Sequence, residues 1–150
     1  MTLPPLRSQR YHALENAIVA AAAVGVAMWW NRRRPFTVAV EGDSMEPTLE
    51  AGQYLVALAN ERATRGALVV LAHPDHPDLE MVKRVAGVPG DRIGGQLLQP
   101  EELWVVGDNA SASTDSRWFG PVPRRAVRGV VRMRYWPASR LTWFPRVRGG

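Results

Sequence analysis

Short apolar runs, separated by turns that contain glycine, proline or short polar residues, repeat along the chain from residue 36 to residue 135. A chain of many short strands joined by such turns is typical of a sandwich or a barrel. The pattern therefore predicts a mainly β, compact and partly barrel-like domain over residues 36–135. Its expected strands are Phe36–Val40, Gln53–Leu58, Ala67–Ala72, Leu79–Val85, Leu103–Val106 and Ala126–Tyr135.

An alanine-rich apolar segment without proline precedes this domain, over residues 13–30. It ends in Trp29 and Trp30 and is soon followed by three arginines, an arrangement typical of the interface between a membrane and water. We predict a helix that serves, with its basic flank, as a single retained membrane anchor over residues 13–34, after a polar tail over residues 1–12. The alternatives are a cleavable signal peptide and a buried helix of a soluble domain.

The C-terminal tail, residues 136–150, combines Trp136, Trp143 and Phe144 with several arginines. Aromatic and basic side chains together suit a membrane interface, and the alternative is that these aromatics pack on the domain. The formal net charge of +5 also fits an anionic surface. Because the sequence contains no helix-turn-helix, zinc-finger or RNA-binding motif, we expect membrane lipids as partners and no nucleic acid.

The residue types that bind metals are few. The absence of cysteine excludes disulfides and cysteine-based metal sites. The loop of residues 73–78, His-Pro-Asp-His-Pro-Asp, contains residue types that ligate metals, but its two prolines favour an ordinary loop. The sequence therefore predicts neither a metal nor another cofactor.

A candidate nucleophile, Ser44, lies in a tight turn directly after the first expected strand. Gly42 has no Cβ, so backbone and substrate can approach closely there, and Pro47 prevents the turn from continuing as regular structure. A serine hydroxyl becomes an effective nucleophile only when a base removes its proton. The alternative is an ordinary turn, since glycine, aspartate and serine are common in turns.

A candidate base is Lys83, the only lysine in the chain. Arginine stays charged near neutral pH, and the three histidines are poorly placed for the role. Period-two alternation in the expected strand places Lys83 on one face with Met81 and Val85. Such an apolar face lowers the pKa of lysine, so that the neutral amine can act as a base. The alternative is that Lys83 extends to solvent from an edge strand.

A third candidate region is the polar block of residues 107–122, which follows the apolar run Leu103–Val106. Its short polar side chains can hold a loop by hydrogen bonds to the backbone. Asp115 and Arg117 can add an ion pair, and its hydroxyls could orient a neutral lysine. The alternative is a long polar surface loop.

Together the three regions resemble the type I signal peptidase family, the membrane-bound Ser/Lys peptidases. The matching positions, in the family's order, are Gly42-x-Ser44-Met45-x-Pro47-Thr48-Leu49, then Lys83-Arg84-Val85-x-Gly87-x-Pro89-Gly90-Asp91, then Gly107-Asp108-Asn109-x-Ser111-x-Ser113-x-Asp115-Ser116-Arg117-x-Phe119-Gly120-Pro121-Val122. They cover much of residues 36–135. Each block alone is a weak signal, whereas three blocks in order are a specific one.

The resemblance implies a role for each matching site residue. Ser44 would be the nucleophile, Lys83 the general base and Ser113 the residue that orients the lysine. Asp115 and Arg117 would form a structural ion pair. The backbone N–H of Ser44 would serve the oxyanion hole, to which Gly42 adds no side-chain donor where some relatives carry a serine. The loss of one such donor can reduce the rate by about 10²–10³-fold.

The resemblance also implies a substrate class. Lys83 and Gly107 are too close in sequence for the extra β domain of larger relatives, so the chain is similar to the compact members: the mitochondrial inner membrane proteases and the small proteases that mature nickel superoxide dismutase. We expect a membrane-anchored serine endopeptidase that removes N-terminal signal peptides from preproteins with small residues one and three positions before the cut.

Three other functions remain open at this point. One is a dedicated maturation protease for a single precursor such as nickel superoxide dismutase. Another is a catalytically silent adaptor at the membrane surface. The third is a self-cleaving repressor-like protein, which the apolar helix disfavours because it occupies the place of a helix-turn-helix.

The resemblance and the charge pattern disagree on location. The family places its catalytic domain outside the cell membrane, behind a single-pass anchor. Arg7 and Arg10 precede the expected anchor, whereas three arginines, residues 32–34, follow it. The tendency of positive residues to stay inside therefore leans the other way.

Overall fold

A computed structural model describes residues 6–146, with side chains described from residue 14 onward. The chain divides into two compact units, one that ends at Arg34 and one that begins at Pro35. The ends of the two expected tails, residues 1–5 and 147–150, lie outside the described residues.

The first unit consists of helix α1 (Leu6–Arg33). The helix begins before the expected Ala13, because the polar residues ahead of Ala13 include no proline after Pro5 and can continue a helix. Large apolar side chains along it, such as Val24 and Trp30, are more than half exposed. In the part of the chain that the structure describes, no helix is long and apolar enough to cross a membrane.

The second unit is mainly β, as the sequence predicts. Its strands within residues 35–146 are β1 (Pro35–Ala39), β2 (Tyr54–Leu58), β3 (Leu68–Ala72), β4 (Glu80–Gly87), β5 (Arg92–Ile93), β6 (Gln96–Leu97), β7 (Glu102–Val106), β8 (Val122–Pro123), β9 (Val127–Trp136) and β10 (Thr142–Trp143), and a short helix α2 (Ser116–Phe119) lies between β7 and β8. Each of the six expected strands is present, and no bound differs from the expected one by more than two residues.

Most of these strands form one sheet in the order β1-β2-β9-β3-β4-β7-β8, and β10 pairs with β9. All of its pairings are antiparallel. The register shifts where β9 pairs with β2 and β3 and where β4 pairs with β7. Such bulges bend and twist strands, and the sheet curls into a half-barrel.

The core consists of two apolar clusters. The first contains Met45 and Leu49, which follow Ser44, together with Leu55 and Val82. The second contains Val85 of β4 and side chains from β3, β7, β8 and β9. Met45 and Leu49 are almost fully buried, so the burial of apolar surface holds the turn that carries Ser44.

The structure contains two short hairpins that the sequence analysis did not predict. Strands β5 and β6 pair around Gly94 and Gly95, which both have positive φ, as a two-residue hairpin loop requires. Strand β10 pairs with β9 in the segment expected as a tail. Phe144 packs against the first cluster, while Trp143 remains 66% exposed, so the aromatics of this segment divide between the core and the surface.

Candidate active site

Ser44 lies at the start of a turn over residues 44–48, which we call the serine turn. The turn is closed by the Leu49 N–H, which donates to the carbonyl of Met45 at 2.9 Å. The carbonyl of Ser44 itself accepts from the N–H of Asn109 at 3.0 Å. The backbone of the candidate nucleophile is therefore held both by its own turn and by the loop after β7.

Lys83 reaches this serine from β4. Its side chain is buried, with the residue only 4% exposed, and Nζ donates a hydrogen bond to Ser44 Oγ at 2.7 Å. Burial lowers the pKa of Lys83 from its ordinary value of 10.5, the charge of Asp115 raises it and the charge of Arg117 lowers it. The result is a lowered pKa, because desolvation disfavours the ammonium form.

A buried carboxylate, Asp115, organises the loop beside this pair. It accepts from Ser113 Oγ at 2.7 Å, from the Gly107 N–H at 2.8 Å and from Arg117 Nε at 2.9 Å. Burial opposes ionisation of Asp115, but the hydrogen bonds from Arg117, Gly107 and Ser113 hold its pKa far below the ordinary value. Asp115 and Arg117 thus form a close ion pair, and the Asp115 side chain is always an acceptor near neutral pH.

Ser113 has one hydroxyl proton, which it donates to Asp115. Toward any other group it can therefore offer only lone pairs, which are what an amine N–H needs. Among the described residues, no hydrogen bond joins Ser113 to Lys83, whose Nζ bonds to Ser44 instead. That Ser113 orients the lysine stays a prediction.

Gly107 lies where the serine turn and the Asp115 loop meet. A Cβ at this position would lie 2.5 Å from the backbone oxygen of Ser44 and would also collide with the side chain of Ser113. Real Cβ atoms do not approach other heavy atoms so closely, because protein interiors are close-packed. The missing side chain therefore sets the distance between Ser44 and Ser113.

A second ion pair, which the sequence analysis did not single out, ties together the loops around the site. Arg84 donates from Nε and Nη2 to the two carboxylate oxygens of Asp108 at 2.8 and 2.7 Å, and from Nη1 to the carbonyl of Gly66 at 2.9 Å. Both partners stand in the matching blocks next to Lys83 and Gly107, which is the signal that could have identified the pair.

Gly42 precedes Ser44 with φ of +71° and an exposed position. No atom would contact a Cβ there, so space does not require glycine, whereas the left-handed backbone favours it. A serine at this position would therefore be strained, and Gly42 contributes no side-chain donor to an oxyanion.

A groove of about 570 Å³ opens beside Ser44, lined by residues 37–41, 44–45 and 78–82. One wall is β1, the edge strand of the sheet. The other wall is the first half of β4, which pairs with β3 on one side and reaches its partner β7 only from Arg84 onward. Both walls therefore contain strand residues that have a strand partner on one side only.

The two histidines of the 73–78 loop contact each other with ring centroids 5.3 Å apart, and His73 also contacts Phe119. The N–H of Asp75 donates to His73 Nδ1 at 3.1 Å. Within the described residues, no group of three metal-ligating side chains comes together.

The opposite effects of Asp115 and Arg117 on Lys83 give a testable prediction. In Arg117→Gln the charge of Asp115 is no longer balanced, so we expect the pKa of Lys83 to rise toward its ordinary value. Because Lys83 is the only lysine, lysine labelled with ¹³C at Cε should give a single side-chain resonance to titrate by NMR. Arg125→Gln, at an exposed position, is the control and should leave the pKa unchanged. An unchanged or lower pKa in Arg117→Gln would contradict the prediction.

The chain matches the sequence model of a family described as signal peptidase, peptidase S26, over residues 11–96 and 93–136. It is 33% identical over 116 residues to mitochondrial inner membrane protease subunit 1 of Mus musculus, a match that covers 68% of this chain and 70% of that protein. It is 32% identical over 149 residues to mitochondrial ATP-independent inner membrane protease subunit 1a of Arabidopsis thaliana, over 87% of this chain and 88% of that protein. It is 34% identical over 134 residues to mitochondrial inner membrane protease subunit 2 of Danio rerio, a match that covers 79% of this chain and 73% of that protein.

Proposed function

Because the chain belongs to the signal peptidase family, peptidase S26, we propose that it is a serine endopeptidase that removes N-terminal signal peptides from precursor proteins. In this proposal Ser44 is the nucleophile and Lys83 is the general base. The observation that carries the proposal is the 2.7 Å contact between Lys83 Nζ and Ser44 Oγ, made by a buried lysine whose pKa is lowered.

The first half of the reaction forms an acyl-enzyme. An ammonium can only donate to Ser44 Oγ, whereas a neutral Lys83 amine accepts the hydroxyl proton across the same distance. As Oγ attacks the scissile carbonyl, the proton passes to Nζ, and the Ser44 N–H stabilises the oxyanion. The tetrahedral intermediate then collapses: the C–N bond breaks, and Lys83 returns the proton to the leaving amine.

The second half releases the acyl group. A water molecule gives a proton to the neutral Lys83 and attacks the ester carbonyl, and the C–O bond to Ser44 breaks as Oγ recovers the proton. Lys83 is therefore neutral at the start of both halves. Activity should rise with pH through the lowered pKa of this lysine.

The substrate in this proposal is an extended peptide in the groove beside Ser44. Edges of β1 and β4 that have no strand partner can pair with such a peptide through backbone hydrogen bonds. The family resemblance further implies that this peptide has small side chains one and three positions before the cut.

Membrane association is a further part of the proposal. The relatives are named as inner membrane proteases. From Leu14 to Trp30, α1 exposes large apolar side chains, and Arg32 and Arg33 lie in its last turn. Tryptophan and arginine side chains at the end of an apolar segment suit the interface of a membrane with anionic lipids. Flotation of the full chain with anionic liposomes would support this, and its recovery only in lipid-free fractions would oppose it.

The proposed mechanism is tested by covalent labelling of the purified full chain with a serine-reactive acylating probe. Peptide mapping by mass spectrometry should place the label on Ser44, with faster labelling as the pH rises. Ser111→Ala is a matched control because Ser111 is exposed on the neighbouring loop, and this variant should label normally. A label on another serine, or normal labelling of Ser44→Ala, would contradict the mechanism.

The substrate is tested separately in detergent, with a secretory preprotein that carries an A-x-A site and with a nickel superoxide dismutase precursor. Cleavage of the preprotein supports a general signal peptidase. Cleavage of the dismutase precursor alone would keep the mechanism and replace the role by dedicated maturation. Absence of both labelling and cleavage would favour the silent adaptor.

A further inference from the structure

Arg134, on β9, makes four hydrogen bonds that link the serine turn to the C-terminal segment. Its Nη1 donates to the carbonyl of Thr48 at 3.0 Å and to Gln53 Oε1 at 3.1 Å. Its Nη2 donates to Thr142 Oγ1 at 2.7 Å, and its Nε to the carbonyl of Arg140 at 2.9 Å. We infer that Arg134 is a positioning residue that holds Ser44 in place through Thr48, an inference that rests on the proposed function.

Thr48 is the last residue of the serine turn and is held from two sides. Arg134 binds its carbonyl. Its hydroxyl lies 3.5 Å from Arg84 Nη2, and Arg84 in turn binds Asp108. Asp108 is followed by Asn109, whose N–H donates to the carbonyl of Ser44. The two arginines therefore fix the end of the turn, and the loop after β7 fixes its start.

All four oxygens that Arg134 contacts are uncharged: two carbonyls, one amide and one hydroxyl. The residue thus acts through the fixed fork of its donors rather than as one half of an ion pair. A lysine keeps the positive charge but has one compact donor group that cannot meet these oxygens in the same geometry. This difference separates a geometric role from a purely electrostatic one.

A salt bridge also joins this segment to a residue just after the serine turn, but it is weaker. Arg140 pairs with Glu50, but both side chains are about half exposed, and exposed pairs contribute little because water and salt screen them. Gln53, by contrast, is 3% exposed, so its contact with Arg134 is shielded from solvent. Of these two polar links, the one made by Arg134 is therefore better shielded from solvent.

Loss of this connection lets Thr48 move, and the closed turn from Met45 to Leu49 passes the displacement to Ser44. A shift of about 1 Å in a reacting group can reduce the rate by about 10²-fold. We expect Arg134→Gln and Arg134→Lys each to lower kcat by about 10- to 100-fold, with KM within about twofold, because neither variant changes the walls of the groove.

The experiment measures kcat, KM and thermal stability of the full chain for both variants, with Arg125→Gln as an exposed control on the preceding segment. The ¹³Cε resonance of Lys83 is recorded for wild type and Arg134→Gln. It should shift in the variant, because its partner Ser44 moves, and it should not shift in the control. A change in stability alone would leave this resonance unmoved.

The inference is overturned if Arg134→Lys retains the wild-type kcat, or if Arg134→Gln loses stability but keeps kcat and the Lys83 resonance at a temperature where it is folded. An inactive wild type is a different result, since it contradicts the proposed function. In that case the resonance of Lys83 still decides whether Arg134 positions the pair.

Discussion

Lys83→Met is expected to lower kcat for peptide cleavage by about 10⁴-fold or more, as loss of the base that activates the nucleophile does in serine proteases. Methionine fills the apolar space along β4 but cannot accept the Ser44 proton. Lys83→Arg is the matched variant: it keeps a cation and a donor beside Ser44, yet it cannot become neutral near pH 7. Both should be nearly inactive in a single-turnover assay with purified chain.

An active Lys83→Arg variant would contradict the proposed role of Lys83 as a base. If this variant kept activity within about tenfold of wild type, the reaction would require a positive charge at this position rather than a base, because arginine does not take up a proton. Far-UV circular dichroism and thermal unfolding confirm that each variant is folded before its kcat is interpreted.

Lys83→Met should also change how the free energy of unfolding depends on pH. The pKa of Lys83 is lowered in the folded chain from 10.5, so the folded state binds this proton more weakly than the unfolded state does. The free energy of unfolding therefore falls as the pH drops from 10.5 to the lowered pKa, and the loss persists below it. In Lys83→Met this part of the pH dependence should disappear from urea unfolding curves.

Gly107→Ala is expected to reduce kcat by about 10²-fold, the second largest effect. The new methyl group would meet the Ser44 carbonyl at 2.5 Å and the Ser113 side chain. Because the Ser44 carbonyl is backbone, held by Asn109, relief requires the serine turn and the Asp115 loop to move apart. Ser44 then moves relative to Lys83, and we expect kcat to fall in steady-state cleavage assays.

Gly87→Ala is the control for crowding without displacement of the site. A Cβ at Gly87 would lie 2.9 Å from Leu98 Cδ1 and 3.0 Å from the Cβ of Trp104, so the collisions are with apolar side chains. This variant should lose thermal stability and keep its kcat while folded. If both alanine variants lost kcat equally, general destabilisation rather than Ser44 placement would explain the result.

The strands could be predicted from the sequence because their apolar runs are short and end at turn residues. Residues 67–72 and 103–106, for example, bury side chains along β3 and β7. The β5–β6 hairpin was not predicted, because its strands have only two residues each, although Gly94-Gly95 is a sequence typical of a hairpin turn. Strand β10 was not predicted either, because two residues carry no periodicity and form a strand only where β9 offers an edge.

The candidate site was predictable where residue chemistry is unusual. A single lysine with apolar neighbours on its face indicated a base, and the three blocks brought Ser44 and the Asp115 loop into the same argument. The role of Arg134 could not be predicted, because this arginine resembles the other arginines of its alternating strand. Its contact with Thr48, 86 positions away in the chain, depends on a sheet order that the local pattern does not encode.

The position of β9 between β2 and β3 has a consequence for the newborn polypeptide. Strands β1 and β2, which flank the turn of Ser44, and strands β3 and β4, of which β4 carries Lys83, are all made before β9. Within the described chain, β2 and β3 are joined in the sheet only through β9, residues 127–136. Synthesis proceeds from the N-terminus, so the sheet that carries Lys83 and leads into the turn of Ser44 becomes continuous only after β9 has been made. A nascent chain arrested before residue 127 should therefore carry a Ser44 that does not react with the acylating probe.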